Sequence, residues 1–153
     1  MNRRGRGFVV GLAMLAMAPV LGVGPAGAQQ DLKAAADTIL GQLEAFRRGD
    51  YDAAYTFAAE SIRQLFDRES FERMVKTGYP EIARSSMATV NQATIAPNGH
   101  AYLIMKIRGA NGSRIEAIYE MVWESDRWKI AGVVSRPDDE VVWVPGIERI
   151  VNP

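Results

Sequence analysis

The spacing of apolar residues changes once along this chain, near Ser86, and this change constrains the fold more than any other feature. From Asp31 to about Arg84, apolar residues recur every three to four positions, as on one face of an amphipathic helix. From Ser86 to about Val134 they alternate with polar residues, which is typical of half-buried strands. Helices followed by strands predict an α+β domain.

The helical half is predicted to contain three helices, separated by turn and capping residues. Gly49 ends the first apolar stripe, and the side chain of Asp50 can cap the helix that follows. A later helix begins at Asp67 or Ser70 and closes near Gly78. The expected helices span 31–48, about 51–64 and about 67–78, with one further turn over 81–85.

The first hairpin of the strand half has a register that the pattern selects. A three-residue loop at 110–112, with its glycine in a left-handed conformation, places Leu103 opposite Tyr119. A slip by one residue would place Leu103 opposite Glu120, so the first register is preferred.

Two more turns complete the sheet. A two-residue loop at 125–126 pairs Trp123 with Trp128 and keeps every pair matched in polarity. The pair Asn98-Gly99 marks a hairpin that joins a strand over 86–96 to the strand after His100. The sequence leaves the register of this hairpin open. We therefore expect a four-stranded antiparallel meander with the helices on one face.

The N-terminal stretch predicts where the protein works. A basic start, an apolar run over Phe8–Val23 and a small-residue site at 26–28 follow the order of a secretory signal peptide. A retained membrane anchor is the alternative, but the run has 16 residues where a spanning helix needs roughly 20. We expect cleavage near Ala28, export to the periplasm or secretion, and no stable membrane anchor afterwards.

This reading divides the chain into a signal peptide at 1–28, an α+β domain at 29–136 and an apolar C-terminal tail at 137–153. The tail is expected to pack on the domain or in an interface. The whole chain has 18 basic and 18 acidic side chains, and loss of three N-terminal arginines leaves a net charge of about −3. A mildly acidic surface argues against nucleic acid as a partner.

The order of elements resembles the nuclear transport factor 2-like fold over about residues 31–136. The resemblance rests on residues 49–55 (GDYDAAY) and on residues 128–132 (WKIAG) in the last strand. Residues 71–75 (FERMV), residues 119–121 (YEM) and the last strand look more narrowly like domain-of-unknown-function family 4864. The resemblance implies a cone-like curved four-stranded sheet with three helices in its concave face, and it implies no established activity.

The superfamily includes enzymes resembling ketosteroid isomerases and dehydratases, which place an Asp or His base with Tyr or acid donors deep in the cone. The inward sheet face of this chain is predicted to contain no Asp, Glu or His, so the sheet supplies no general base. That face is expected to consist of Leu103, Met105, Ile107, Ile115, Ala117, Tyr119, Met121, Trp123, Trp128, Ile130, Gly132 and Val134.

We therefore expect an exported domain that binds a small, largely apolar molecule or assembles with a partner, without catalysis. The pocket candidates are Tyr51, Tyr55, Met105, Tyr119, Trp123 and Trp128. A buried Tyr119 hydroxyl needs a partner, which is a ligand, a helix residue or water. The tryptophan pair either lines a pocket mouth or fills the core. The alternative function is a cofactor-independent isomerase, dehydratase or hydrolase that uses Asp52 or a helix Glu as base.

The outward sheet face carries an apolar strip bordered by charged residues, a pattern that marks protein interfaces. The strip consists of Tyr102, Ile104, Ile118, Val122 and Val133. The resemblance implies a homodimer through this surface, and coverage by the C-terminal tail is the alternative. His100, the single histidine, is expected on the surface beside a turn, and the chain has no cysteine. No metal or other cofactor is therefore expected.

Overall fold

The computed structural model describes the backbone of residues 25–138 and the side chains of residues 31–138. Most of the predicted signal peptide and of the predicted C-terminal tail therefore lie outside the described residues. The helices are α1 (Pro25–Arg47), α2 (Tyr51–Thr56), α3 (Glu60–Leu65), α4 (Arg68–Gly78) and α5 (Pro80–Ala83). The strands are β1 (Ser85–Ile95), β2 (Ala101–Gly109), β3 (Arg114–Glu124) and β4 (Arg127–Pro137).

The four strands form one antiparallel sheet in the order β1-β2-β3-β4, as the sequence predicts. Leu103 lies opposite Tyr119 and Trp123 lies opposite Trp128, so both predicted registers are confirmed. Gly112 has a φ of 84°, the left-handed conformation expected in the first loop. The predicted α+β class is confirmed.

Capping residues separate the helices where the sequence places the breaks. The Asp50 side chain accepts a hydrogen bond from the Ala53 amide at 2.9 Å, and Asp67 accepts one from the Ser70 amide at 2.7 Å. Both bonds satisfy amides that have no partner within the first helical turn.

The sequence predicts one continuous second helix over about 51–64, and this prediction was wrong, because the structure has two helices there, α2 and α3. The Phe57 carbonyl accepts a hydrogen bond from the Ile130 amide at 2.9 Å, and the Ala59 amide donates to the Ile130 carbonyl at 2.8 Å. These bonds attach the chain between the helices to the edge of β4. A continuous helix would use the same backbone groups within itself, so contact with the sheet interrupts it.

A β-bulge at Ala131 changes which residues of β4 face the helices. Met121 lies opposite Ile130, whereas Glu120 lies opposite Gly132, so Ala131 is an extra residue in the strand. The predicted alternation is therefore reversed beyond this point. Gly132 and Val134 were predicted to face inward, but Val134 is 69% exposed on the outer face.

Val133 was predicted to lie on the outward strip, and this prediction was wrong for the same reason. Val133 packs instead against the core, directly opposite Tyr119. The core lies between the helices and the inner sheet face, where Ile39 and Leu43 of α1 meet Leu103 and Met105 of β2. All four side chains are fully buried. No helix in the described range is both long and apolar enough to span a membrane.

Candidate functional site

A cavity lies between the helices and strands β3 and β4, at the inner face of the sheet. Its apolar walls include Phe46, Ile62, Phe71, Met74, Ile82 and Val133. The cavity has a volume of about 50 Å³. One water needs roughly 10–15 Å³ by this measure, so the cavity has room for a few waters or a small organic molecule.

Tyr119 is the residue that gives this cavity a specific polar group. Its position on β3 points it inward, and only 1% of its surface is exposed. Its hydroxyl makes no hydrogen bond to any described residue. Burial raises the pKa of the Tyr119 phenol, and the neighbouring Tyr79 phenol raises it further. The group is therefore a neutral hydrogen-bond donor at physiological pH.

Two other polar side chains line the cavity, and the protein holds each of them in place. The Gln42 amide Nε2 donates to the Ala54 carbonyl at 3.1 Å, which ties α1 to α2. The Tyr79 hydroxyl donates to the Val133 carbonyl at 3.2 Å, which ties the start of α5 to β4. Within the described part of the chain, no charged side chain lines the cavity.

Of the six pocket candidates, Tyr119 is the one that lines this cavity. Tyr51 is buried beside Phe46, with the Lys76 ammonium 4.8 Å and the Arg68 guanidinium 5.6 Å from its ring centroid. These cation–π contacts place the Tyr51 ring among structural neighbours outside the cavity.

Tyr55 and Met105 also lie outside the cavity lining. The Tyr55 hydroxyl donates to the Phe66 carbonyl at 2.6 Å, and its ring packs 5.2 Å from Phe71. The hydroxyl therefore satisfies a backbone group between α3 and α4. Met105 is completely buried in the core of β2.

Trp123 and Trp128 meet edge to face at the hairpin end of the sheet, with ring centroids 5.5 Å apart. Trp128 is buried, and its indole Nε1 has no partner among the described residues. Trp123 is 55% exposed. Together they line a separate open groove that also contacts Asp31, Ile95 and Gly99.

Gln42 and Tyr79 were missed at the level of sequence. Gln42 carries a detectable signal, since it interrupts the apolar face of α1 between Ile39 and Phe46. Tyr79 precedes Pro80 at a helix junction and gives no comparable signal, because only the packing of α5 on the sheet brings it to the cavity.

The carboxylate proposed for the enzymatic alternative points elsewhere. The Asp52 side chain is 85% exposed and lies 2.5 Å from the Arg68 guanidinium. Among the described residues that line the cavity, none is Asp, Glu or His. The arrangement can donate hydrogen bonds to a bound molecule, but its described residues do not include a conventional proton acceptor.

Four of the five predicted interface candidates lie on the outer sheet face. Val134 lies there in place of the fifth candidate, Val133. Tyr102, Ile104, Ile118 and Val122 are each partly exposed there. His100 belongs to this face, as expected for a surface residue, but it is paired: its Nδ1 lies 2.8 Å from Glu120 Oε1.

Charged residues around this face pair with one another. The Arg136 Nε donates to Glu116 Oε1 at 3.0 Å, and the Lys106 ammonium lies 3.1 Å from Asp138. The Tyr102 hydroxyl also donates to Glu120 at 3.1 Å. The apolar strip is thus bordered by charge pairs that are already formed within one chain.

Comparison with protein families identifies one match. A family model described as a domain of unknown function (DUF4864) matches residues 28–141. The match supports the narrower resemblance suggested by the sequence motifs. Comparison with curated proteins finds no match.

Two solved structures share the fold. An NTF-2 like protein of unknown function from Silicibacter pomeroyi DSS-3 is 14% identical, with a TM-score of 0.52, 71% of this chain covered and 97% of that chain covered. An NTF-2 like protein of unknown function from Shewanella oneidensis MR-1 is 19% identical, with a TM-score of 0.52. The match covers 67% of this chain and 96% of that chain. At these identities the likeness establishes the fold alone.

Proposed function

We propose, on the premise that this chain belongs to the DUF4864 family and has the nuclear transport factor 2-like fold, that it binds a small, largely apolar molecule without catalysis. The single observation that carries this proposal is Tyr119, which lines the cavity and whose hydroxyl is buried and unpartnered among the described residues. An unsatisfied buried hydroxyl costs roughly 1–3 kcal/mol, which a ligand acceptor would recover.

The chemistry of the lining defines the class of ligand. A charged ligand would lose its hydration without meeting an opposite charge among the described lining residues. A neutral molecule with an apolar body and one acceptor oxygen matches the apolar walls and the Tyr119 donor. The enzymatic alternative needs a carboxylate base in the cavity, and the nearest sequence candidate, Asp52, is paired with Arg68 at the surface.

The outer sheet face supports a second part of the proposal, which is homodimerisation. Its apolar centre is bordered by ion pairs formed within one chain, such as Arg136 with Glu116. Two such faces can meet around a twofold axis without bringing unpaired like charges together. Val134, 69% exposed at this face, provides the test: Val134→Glu should lower the oligomeric state relative to wild type in sedimentation, with an unchanged unfolding midpoint of the monomer. An oligomeric state equal to that of wild type would refute the use of this face.

The setting of this function is the cell exterior or the periplasm. The support is the order of basic, apolar and small residues over 1–28, which is typical of a cleaved signal peptide. In that setting we propose a small apolar ligand and a second copy of the chain as partners, with no nucleic acid and no stable membrane anchor.

Native mass spectrometry of the protein purified from its own cell envelope tests the proposal. We expect a mature chain that begins at Gln29 and carries a retained neutral molecule. The same preparation of Tyr119→Phe should carry less of it, whereas Tyr102→Phe, which removes a hydroxyl on the outer face, should retain it. Equal retention by all three proteins would show that the ligand does not use Tyr119.

A further inference from the structure

The two edges of the sheet differ in how they are covered. At the β4 edge, the Ile130 amide and carbonyl are bonded to the chain between α2 and α3. At the β1 edge, the described residues offer no such cover: residues 86–95 make backbone bonds within the sheet and to no other described segment. Among residues 25–138, the outer row of β1 amides and carbonyls thus has no backbone partner, which is the pattern of an edge that can pair with another strand.

The sequence of β1 lacks the side chains that usually protect an edge. Its eleven residues, SSMATVNQATI, include no charged residue and no proline. Two irregularities in register lie between Ser85 and Met87 and between Val90 and Gln92. They leave two regular segments, Met87–Val90 and Gln92–Ile95, and in the first of them Met87 is 56% and Val90 is 43% exposed.

We propose that β1 pairs antiparallel with β1 of a second copy of this chain, so that two sheets join edge to edge. The absence of charge favours this occupant, because the residue at the twofold axis of an antiparallel pair faces its own copy, and a charged residue there would face a like charge. In β1 no position carries a charge, so the axis can pass through any of them, and the threonine, asparagine and glutamine side chains near it can bond across the pair. The exposed Met87 and Val90 side chains also gain contacts.

This edge is distinct from both surfaces of the proposed function. It neither lines the cavity nor forms part of the apolar strip on β2, β3 and β4. A twofold axis through the strand pair closes the contact at two copies. If the outer face also associates, the two contacts together give assemblies larger than a dimer, and each contact can be broken separately.

Single-cysteine cross-linking tests the proposal directly, because the chain contains no cysteine. Paired residues on antiparallel strands have Cα atoms roughly 4.5–5.5 Å apart, within the range that a disulfide bridges. Three exposed β1 positions serve as probes in the mature chain: Thr89→Cys, Gln92→Cys and Thr94→Cys. Leu65→Cys on α3, at a position 74% exposed, is the control for random collision, and Val134→Cys reports on the outer face.

After mild oxidation with diamide, at least one β1 variant should form covalent dimers in at least tenfold greater yield than Leu65→Cys. The most efficient position identifies the twofold axis. If every β1 variant forms dimers only at the control yield, the proposal is wrong, whether or not Val134→Cys cross-links. A β1 edge occupied by a peptide of another protein would give this negative result.

Val90→Lys provides a second measurement that does not depend on disulfide geometry. The lysine would bring two positive charges, one from each copy, into an edge contact that is otherwise uncharged, so the dissociation constant of the contact should rise at least tenfold in sedimentation. The matched variant Val90→Thr keeps the strand uncharged and should associate like the wild type. Equal association of the lysine and threonine variants would overturn the proposal.

Discussion

Tyr79 and Tyr119 line the same cavity, but only the hydroxyl of Tyr79 has a partner in the described protein. Tyr79 donates to the Val133 carbonyl at 3.2 Å, whereas Tyr119 is more deeply buried and donates to no described atom. The described protein thus fixes one phenol by a hydrogen bond and not the other, which the proposed function assigns to a ligand. This difference separates a binding role from a packing role, because a packed hydroxyl is normally satisfied internally.

The two roles predict opposite effects on stability. Tyr119→Phe should leave the free energy of unfolding of the ligand-free protein within about 0.5 kcal/mol of wild type, or raise it, because no protein hydrogen bond is lost. Tyr55→Phe is the matched control, since it removes the bond to the Phe66 carbonyl and should cost about 0.5–1.5 kcal/mol. Urea denaturation measures both. A loss of several kcal/mol in Tyr119→Phe would show that its hydroxyl is structural.

The bulge at Ala131 predicts that adjacent valines differ in their contribution to stability. Val133→Ala should lower the free energy of unfolding by roughly 1–2 kcal/mol, because Val133 packs against the core. Val134→Ala should change it by less than about 0.5 kcal/mol in the monomer, because Val134 is 69% exposed. Thermal unfolding at low protein concentration compares the pair. A larger loss of stability in Val134→Ala than in Val133→Ala would indicate that β4 has the register without the bulge.

Glu120 predicts a pH dependence of stability on the acid side. Hydrogen bonds that the Glu120 carboxylate accepts from the His100 imidazole and from the Tyr102 hydroxyl lower the pKa of this carboxyl in the folded protein. The stabilisation is therefore present above the unfolded-state pKa of about 4.3 and is lost as the pH falls through the lower folded-state pKa. Because its side chain is 39% exposed, solvent screening keeps the effect small.

Glu120→Gln should flatten the dependence of the unfolding midpoint on pH between about pH 5 and pH 3 relative to wild type. The measurement is a series of urea midpoints at fixed ionic strength. Identical slopes for wild type and Glu120→Gln would mean that the carboxyl does not depend on these contacts in solution.

Sequence reasoning succeeded where a local pattern decides the structure. The pairs Leu103–Tyr119 and Trp123–Trp128 follow from alternation and loop length, and the cap at Asp50 follows from residue type. The same register predicts that the Tyr119 side chain points inward, so the sequence alone predicts one of the residues that line the cavity.

The predictions from sequence were wrong where tertiary contacts decide the structure. Residues 130–134 (IAGVV) fit either phase of alternation, because the small Ala131 and Gly132 give no preference. The break between α2 and α3 depends on hydrogen bonds to Ile130, which lies far away in sequence. Tyr51 and Tyr55 were placed near the cavity by their helix, but the rotation and packing of α2 direct them toward α4 and the chain before it.

The most direct test of the ligand site uses two probe molecules of nearly the same shape. Cyclohexanone has a carbonyl oxygen that can accept from Tyr119, and methylenecyclohexane replaces that oxygen with carbon. Ligand binding to the folded state raises the thermal midpoint. We predict that cyclohexanone raises the midpoint of wild type more than methylenecyclohexane does, and that Tyr119→Phe abolishes this difference. Equal shifts by the two probes in wild type, or no shift by either, would contradict the assignment of Tyr119 as the donor of a binding cavity.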